Sequence, residues 1–92
     1  MSYRVRPGIV MTKICNVYLL VPTRKASEKC HYIMKLNAFS SIIWETVEKN
    51  MPMEKAFKAF KILTRKSDEE VEARTQNILD NFCEKGYMIT EE

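Results

Sequence analysis

A Cys/His or Ser/His pair for nucleophilic chemistry would have to include the single histidine of this sequence, His31. Cys30 directly precedes His31, but neighbouring residues on a strand point to opposite faces, so this thiol and imidazole do not form a pair. Nothing nearby supplies the third group that would orient the imidazole for such chemistry. The sequence therefore predicts no catalytic residue, and we expect a protein that is not an enzyme.

The side chains that could hold a metal ion or a phosphate are equally few. An acidic cluster at residues 68–72 offers carboxylates, but it directly follows Ser67, a good helix N-cap, and the helix dipole favours acids in a first turn. The cysteines form no CxxC motif. Two glycines, Gly8 and Gly86, cannot build a glycine-rich phosphate loop. We therefore predict neither a metal site nor a cofactor.

Cysteine usage and hydropathy bear on the compartment. Cys15, Cys30 and Cys83 are odd in number and scattered, which predicts reduced thiols, with Cys83 and Cys15 filling apolar positions. Residues 1–8 are not followed by the apolar run of a signal peptide, and no stretch of 18 apolar residues could cross a membrane. We expect a cytoplasmic protein with no membrane partner.

Hydrophobic periodicity predicts one α+β domain over all 92 residues, with residues 1–8 flexible. Residues 9–15, Val17–Pro22 and residues 31–36 are rich in apolar and β-branched side chains, which predicts three strands. Asn16 suits a turn between the first two strands. We expect these strands to form a three-stranded antiparallel sheet.

Three helices follow the strands. Asn37 is a suitable N-cap for the first helix, which ends near Asn50, and Pro52 suits the first turn of the second. Ser67 caps the third helix and Gly86 ends it, after which a short extended tail could pack back on the sheet. Three strands followed by three helices predict a winged-helix-like arrangement.

Three short segments carry a recognisable order of motifs: YLLVP at residues 18–22, IMKLNAFSSIIWE at residues 33–45 and ILDNFCEKGYM at residues 78–88. A strand runs into Leu36 and Asn37, an aliphatic–Trp pair ends in Trp44, and a last helix ends in Lys-Gly and an apolar residue. In this order and spacing, over most of its length, the sequence resembles the PqqD-like family of recognition domains for ribosomally made precursor peptides.

The resemblance implies a peptide-binding function. Such domains bind the leader segment of a precursor peptide and present it to a modifying enzyme, often a radical-SAM protein. The leader would pair with the third strand and lie against the third helix, because an edge strand has unpaired backbone groups. The candidate peptide-binding residues are His31, Tyr32, Ile33, Met34, Lys35, Leu36, Arg74, Thr75, Ile78 and Phe82. Arg74 would reach a leader carboxylate, and Ile78 and Phe82 would offer an apolar floor.

The main alternative is a winged-helix DNA-binding transcription regulator. Residues 1–67 hold 13 Lys/Arg and 4 Asp/Glu, net +9, whereas residues 68–92 hold 2 and 8, net −6. The third helix would have to enter the major groove, where phosphates would repel its acids. The charge pattern therefore argues against a nucleic-acid partner.

The sequence leaves two interpretations for several other residues. A row of lysines on the second helix is either a solvated face or a docking surface for an acidic protein: Lys55, Lys58 and Lys61. Trp44 is either a core residue or a partly exposed partner contact. Ile78 and Phe82 fit a plain core, and Arg74 fits a solvated surface. The unpaired edge at residues 31–36 could also join two copies into a homodimer.

Overall fold

The computed structural model describes residues 2–23 and 32–91. In order, these residues form β1 (Ser2–Val5), β2 (Ile9–Ile14), β3 (Val17–Pro22), β4 (Met34–Leu36), α1 (Ala38–Glu48), α2 (Met53–Thr64), α3 (Asp68–Glu84) and β5 (Met88–Glu91). Strands β2, β3 and β4 form an antiparallel sheet in that order, and β1 pairs with β5 in a second sheet. The predicted α+β fold, with a three-stranded antiparallel sheet followed by three helices, is confirmed.

The β2–β3 hairpin turns at Cys15 and Asn16, whose φ angles are 50° and 65°. Two successive residues in the left-handed region are typical of a type I′ turn, whose twist matches that of the flanking strands. Ile14 consequently lies opposite Val17. The turn predicted at Asn16 is confirmed, whereas Cys15, expected at an apolar position, is exposed at the hairpin tip.

The third strand of the sheet, β4, is shorter than the sequence predicts. It covers Met34–Leu36, Tyr32 and Ile33 precede it without strand pairing, and the predicted position His31 lies outside the described residues. Asn37 ends the strand and caps α1, because its side-chain oxygen accepts a hydrogen bond from the backbone N–H of Ser40 at 2.8 Å. Strand β4 therefore leads into α1 with no intervening loop.

Both ends of α3 are set by local hydrogen bonds. Ser67 caps the first turn, as predicted. At the other end Gly86 has a φ of 87°, its N–H donates to the carbonyl of Cys83, and the N–H of Tyr87 donates to the carbonyl of Phe82 at 2.9 Å. This pair of bonds is the Schellman motif, which needs a residue with positive φ and favours glycine there. It turns the chain from α3 towards β5.

The second sheet joins the two ends of the described chain. The sequence predicts flexibility for residues 1–8 and a return of residues 87–89 to the main sheet, but β1 and β5 pair with each other over their whole length. Tyr3 and Val5 alternate with exposed residues and pack against the core. The side chain of Arg6 also donates a hydrogen bond to the carbonyl of Gly86, which ties the segment after β1 to the end of α3.

The core receives side chains from sheet and helices alike: Ile9, Leu20, Leu36, Ile43, Trp44, Phe60, Val71, Leu79, Phe82, Tyr87 and Met88. Trp44 is fully buried and meets Phe82 edge to face, with 5.5 Å between the ring centroids. The interpretation of Trp44 as a core residue is confirmed. This contact fixes α3 against α1 and, through the short β4–α1 junction, sets the position of β4.

Candidate functional site

Strand β4 lies at the edge of the three-stranded sheet. Strand β3 pairs with one side of β4, and no described strand pairs with the other side. The hairpin determines which backbone groups of β4 face that open side. A two-residue turn makes Ile14 and Val17 a hydrogen-bonded pair, and hydrogen-bonded and non-hydrogen-bonded pairs alternate along the strands. The N–H of Thr23 donates to the carbonyl of Gly8 at 2.8 Å, at the position that this alternation requires.

The alternation fixes the orientation of the β4 backbone. Since Val17 and every second residue after it bond to β2, Tyr18 and Leu20 point their N–H and C=O groups towards β4. Their partners on β4 are Leu36 and Met34, which therefore bond back to β3. Lys35, between them, points its N–H and C=O groups to the open edge. A donor and an acceptor in this geometry are what an added strand would use.

A cavity of about 410 Å³ lies where the chain enters β4, between that segment and the end of α3. It is lined by Tyr32, Ile33, Met34, Lys85 and Tyr87. The side chains of Tyr32 and Ile33 are 79% and 62% exposed, whereas Tyr87 is buried and its hydroxyl donates to the carbonyl of Tyr32. The cavity is therefore mostly apolar, with one cationic side chain, Lys85, in its lining.

Two contacts place one side of α3 near β4: Lys85 lines the cavity together with Met34, and Arg74 lies over the ring of Phe39, just after β4. Arg74, Ile78, Asn81 and Lys85 recur at spacings of 4, 3 and 4, which places them on the same side of a helix. Each is exposed or half-buried. Lys85 lines the cavity at the start of β4, and Arg74 lies at the far end of this row. We call these four residues the outer row of α3.

Arg74 packs on α1 just beyond the end of β4. Its guanidinium carbon lies 4.5 Å from the ring centroid of Phe39, in the first turn of α1. A guanidinium stacked on an aromatic face keeps its N–H donors at its edge. No acidic side chain in the described part of the chain forms an ion pair with Arg74, so these donors point to solvent at the end of the groove between β4 and α3.

Two of the four predicted α3 positions lie inside the core. Thr75 is 2% exposed and Phe82 is 0% exposed, because both belong to the row of α3 that also contains Val71 and Leu79. Neither side chain offers surface to a peptide, and the plain-core interpretation holds for Phe82. Ile78 is half-buried and packs against the core, so it alone of the predicted apolar pair reaches the surface.

The structure adds three side chains to the predicted set. Asn81 and Lys85 complete the outer row, and Tyr87 forms part of the cavity wall. The helical period counted forward from Arg74 through Ile78 would have identified Asn81 and Lys85. No sequence signal would have identified Tyr87, because its place depends on the turn that ends α3.

Other chemistry finds little support in the described residues. They contain no group of three or more His, Cys, Asp or Glu side chains that could hold a metal ion. None of the helices described is both long and apolar enough to span a bilayer. Burial, followed by the negative charge of Asp80, raises the pKa of the Cys83 thiol, so this half-buried thiol is a poor nucleophile at neutral pH.

No family model and no curated protein sequence matches the chain, but two solved structures share its fold. One is TbiB1 in complex with the TbiA(beta) leader peptide, with a TM-score of 0.76 and 17% identity, covering 97% of this chain and 98% of that one. The other is lasso peptide synthetase B1 complexed with the leader peptide, with a TM-score of 0.79 and 13% identity, covering 98% and 100%. The shared fold thus extends over nearly the whole chain.

Proposed function

We propose that this chain binds the leader segment of a ribosomally made precursor peptide as an added strand on the open edge of β4. The observation that carries the proposal is the edge of β4 that no described strand pairs with, next to a cavity that Lys85 of the outer row also lines, in a fold shared with two proteins solved in complex with leader peptides. The PqqD-like sequence motifs support the same ligand. No observation favours the DNA-binding alternative.

Backbone pairing supplies the first part of the binding energy. The N–H and C=O of Lys35 are the groups of β4 that face the open edge, and a peptide strand beside them would satisfy both. Main-chain pairing is insensitive to sequence, so it contributes affinity and holds the peptide extended along β4, whereas side-chain contacts must set the register and identity of the peptide.

Side chains on either side of the groove supply specificity. The cavity at Tyr32 and Ile33 is large enough for one apolar side chain of the peptide, and exposed apolar groups of this size gain free energy when covered. Arg74 at one end of the outer row and Lys85 at the other offer cationic donors to acidic groups on the peptide. Ile78 lies between them as an apolar contact. We expect a leader with an apolar anchor between acidic or polar residues.

The domain would present the bound peptide to a modifying enzyme and would not itself catalyse a reaction. Two enzyme classes are open as partners. The PqqD-like resemblance points to a radical-SAM enzyme, whereas the name of one structural relative, lasso peptide synthetase B1, points to a peptide synthetase. Testing the enzymes encoded beside this chain for leader-dependent stimulation by the domain separates the two classes. We infer a cytoplasmic location, where a newly made precursor peptide is available.

A proline scan of β4 tests the added-strand geometry directly. Lys35→Pro removes the N–H that faces the open edge and leaves the bonds between β4 and β3 in place, which is the position at which an edge strand tolerates proline. We expect a folded protein whose affinity for the leader encoded beside it falls by about tenfold or more, since a lost backbone bond also leaves a peptide carbonyl unpaired. Fluorescence anisotropy of the labelled leader measures the affinity.

Two control variants make this test decisive. Lys35→Ala removes the side chain and keeps the N–H, so it should bind the leader nearly as the wild type does. Met34→Pro removes an N–H that bonds to β3, so it should lower the stability of the fold itself. Equal affinity for Lys35→Pro and Lys35→Ala would overturn the added-strand model. Steeply salt-dependent binding to random duplex DNA would instead favour the alternative function.

The same edge is the site at which a homodimer could form. A dimer paired through β4 would compete with the leader, because both use the N–H and C=O of Lys35. Light scattering with and without leader tests this. A dimer that dissociates when the leader is added would use the same edge as the leader, and a dimer that persists would use another surface.

A further inference from the structure

The outer face of the three-stranded sheet is apolar, and its side chains are exposed or half-buried. Register places Val10 opposite Val21, Thr12 opposite Leu19, and Ile14 opposite Val17, so these six side chains share one face. The opposite face carries the buried residues Ile9 and Leu20. Val10 and Ile14 are 49% and 56% exposed, and none of the six belongs to the hydrophobic core. Five aliphatic side chains and one threonine therefore share this face, and Val10 and Ile14 are its exposed members.

Among the described strand residues, the charged side chain on this face is a cation. Strands β2, β3 and β4 contain no acidic residue. Lys35 lies opposite Leu19 and so belongs to the same face, at the β4 edge. Lys13 points to the other side, where its amino group lies over the ring of Tyr18. The surface is thus an aliphatic floor with a cation at the edge where we propose that the leader binds.

The area of the face decides between two kinds of occupant. Two strands of six residues and one of three, at about 3.4 Å per residue and about 4.8 Å per strand, cover about 250 Å². A stable interface buries about 800 Å² on each partner, so two copies meeting through this face alone would not hold together. Like charges at Lys35 add no attraction between copies. The occupant must be a larger surface that extends beyond the sheet.

A leader bound at β4 would extend this face. An added strand makes the sheet four strands wide, and every second side chain of the peptide would then stand beside Lys35 on the outer face. A partner that covers the outer face would consequently touch the bound peptide as well. Of the proteins that the proposed function involves, the modifying enzyme is the one that must reach the peptide.

We propose that the outer face of the β2–β3–β4 sheet docks the modifying enzyme, through a surface of that enzyme with an aliphatic centre and an acidic rim. The inference rests on the proposed function, and it names the partner surface and its chemistry. Because the enzyme contacts the sheet and the added strand together, leader and enzyme bind with positive coupling, and by linkage each increases the affinity for the other.

Four single substitutions test the docking face. Val10→Glu and Ile14→Glu each place an acid on the acid-free face at an exposed position, where the fold tolerates it. Ile14→Lys is the charge control, and Ile62→Glu is the surface control, since Ile62 is 80% exposed on α2, away from the sheet. The probes are the leader peptide and the modifying enzyme encoded beside this chain, with anisotropy for the leader and biolayer interferometry for the enzyme.

We expect Val10→Glu and Ile14→Glu to weaken enzyme binding about tenfold or more, as for residues at the centre of an interface, while leader affinity stays within about twofold of the wild type. Ile14→Lys should lose less affinity for the enzyme than Ile14→Glu, because a lysine is attracted to an acidic rim and a glutamate is repelled by it. Ile62→Glu should bind both probes as the wild type does. Leader should raise the affinity of the enzyme for the wild type.

The outcomes separate the two proposals. A wild-type chain that does not bind the leader contradicts the proposed function, and the enzyme arm of the experiment still decides the docking face. Normal enzyme binding by Val10→Glu and Ile14→Glu, or an equal loss with Ile62→Glu, overturns the docking face while leaving leader binding intact. A concentration-dependent dimer that Val10→Glu abolishes would assign the face to a second copy and would also overturn the inference.

Discussion

Helix α3 presents two rows of residues with the same periodicity and different surroundings. The inner row, Val71, Thr75, Leu79 and Phe82, is buried against α1, α2 and β5. The outer row, Arg74, Ile78, Asn81 and Lys85, is exposed or half-buried, and its two ends lie against Phe39 and against the cavity at the start of β4. Similar spacing on one helix thus produces a structural face and a face available to a ligand, and the difference lies in what packs against each.

The contrast separates two kinds of mutational effect. A truncation in the inner row leaves a cavity among close-packed neighbours, so its cost appears in the free energy of unfolding. A truncation in the outer row leaves the packing nearly unchanged, so its cost should appear in peptide affinity. Three variants and one measurement of thiol reactivity, taken from the largest expected effect to the smallest, test whether the inner row affects stability and the outer row affects peptide affinity.

Phe82→Ala should give the largest effect. It removes a fully buried ring that meets Trp44 edge to face, and such truncations cost about 3–5 kcal/mol. In a domain of this size that is a large part of the total stability. Urea unfolding followed by Trp44 fluorescence measures it, and Ile62→Ala, on an exposed site, should change stability by less than about 0.5 kcal/mol. Equal stability of the two variants would contradict the assignment of Phe82 to the core.

Arg74→Ala should weaken leader binding and leave the fold intact. The guanidinium loses its charge-assisted bonds to the peptide, which corresponds to about a tenfold loss of affinity, and only an exposed stacking contact with Phe39 is lost from the protein. Titration calorimetry with the leader measures the loss. Arg74→Lys keeps the charge but not the planar guanidinium, so its affinity for the leader should lie between those of the wild type and Arg74→Ala. Unchanged affinity in Arg74→Ala would remove Arg74 from the site.

Thr75→Val should stabilise the protein by about 1 kcal/mol, because the hydroxyl of Thr75 is buried and has no hydrogen-bond partner among the described residues. Leader affinity should not change, since Thr75 has no exposed surface. Thermal unfolding and the anisotropy titration measure the two quantities. A less stable variant would mean that the hydroxyl is bonded in solution, and a weaker leader affinity would return Thr75 to the binding site.

Thiol reactivity gives the smallest effect and reports on the end of α3. In a Cys30→Ser background, exposed Cys15 should react with iodoacetamide faster than half-buried Cys83, whose pKa is raised by burial and by Asp80. Since the thiolate is the nucleophile, the gap should narrow as the pH rises through the raised pKa of Cys83. Mass spectrometry of timed samples follows both sites. Equal rates at pH 8 would indicate that the inner side of α3 opens in solution.

Much of the fold could be predicted from local sequence signals. Asn37 and Ser67 cap helices through their side-chain oxygens. Asn16 in the hairpin turn and Gly86 at the end of α3 have positive φ angles, which favour these residue types. Strand β3 has the predicted bounds, and β2 ends one residue earlier than predicted, at Ile14. Strand β4 begins later than predicted, because its pairing with β3 starts only at Met34, opposite Leu20.

The second sheet could not be predicted in this way. Strands β1 and β5 are four residues each and come from opposite ends of the described chain, so neither carries a long hydrophobic pattern and their pairing is entirely non-local. Arg6, which bonds to the carbonyl of Gly86, belongs to the same long-range contact. Such contacts are decided by the packing of Tyr3 and Val5 on the core, which the sequence pattern of either segment alone does not encode.

The candidate site likewise combines features that depend on local sequence with features that depend on tertiary packing. By itself the sequence determined the elements, their caps and the family likeness, because these depend on residues close together in the chain. Only the tertiary structure decided that Thr75 and Phe82 face the core, that Lys35 turns its backbone to the open edge, and that Tyr87 closes the cavity. The physical reason is that helical and strand periods define faces, whereas the neighbours that bury one face and leave another open come from distant parts of the chain.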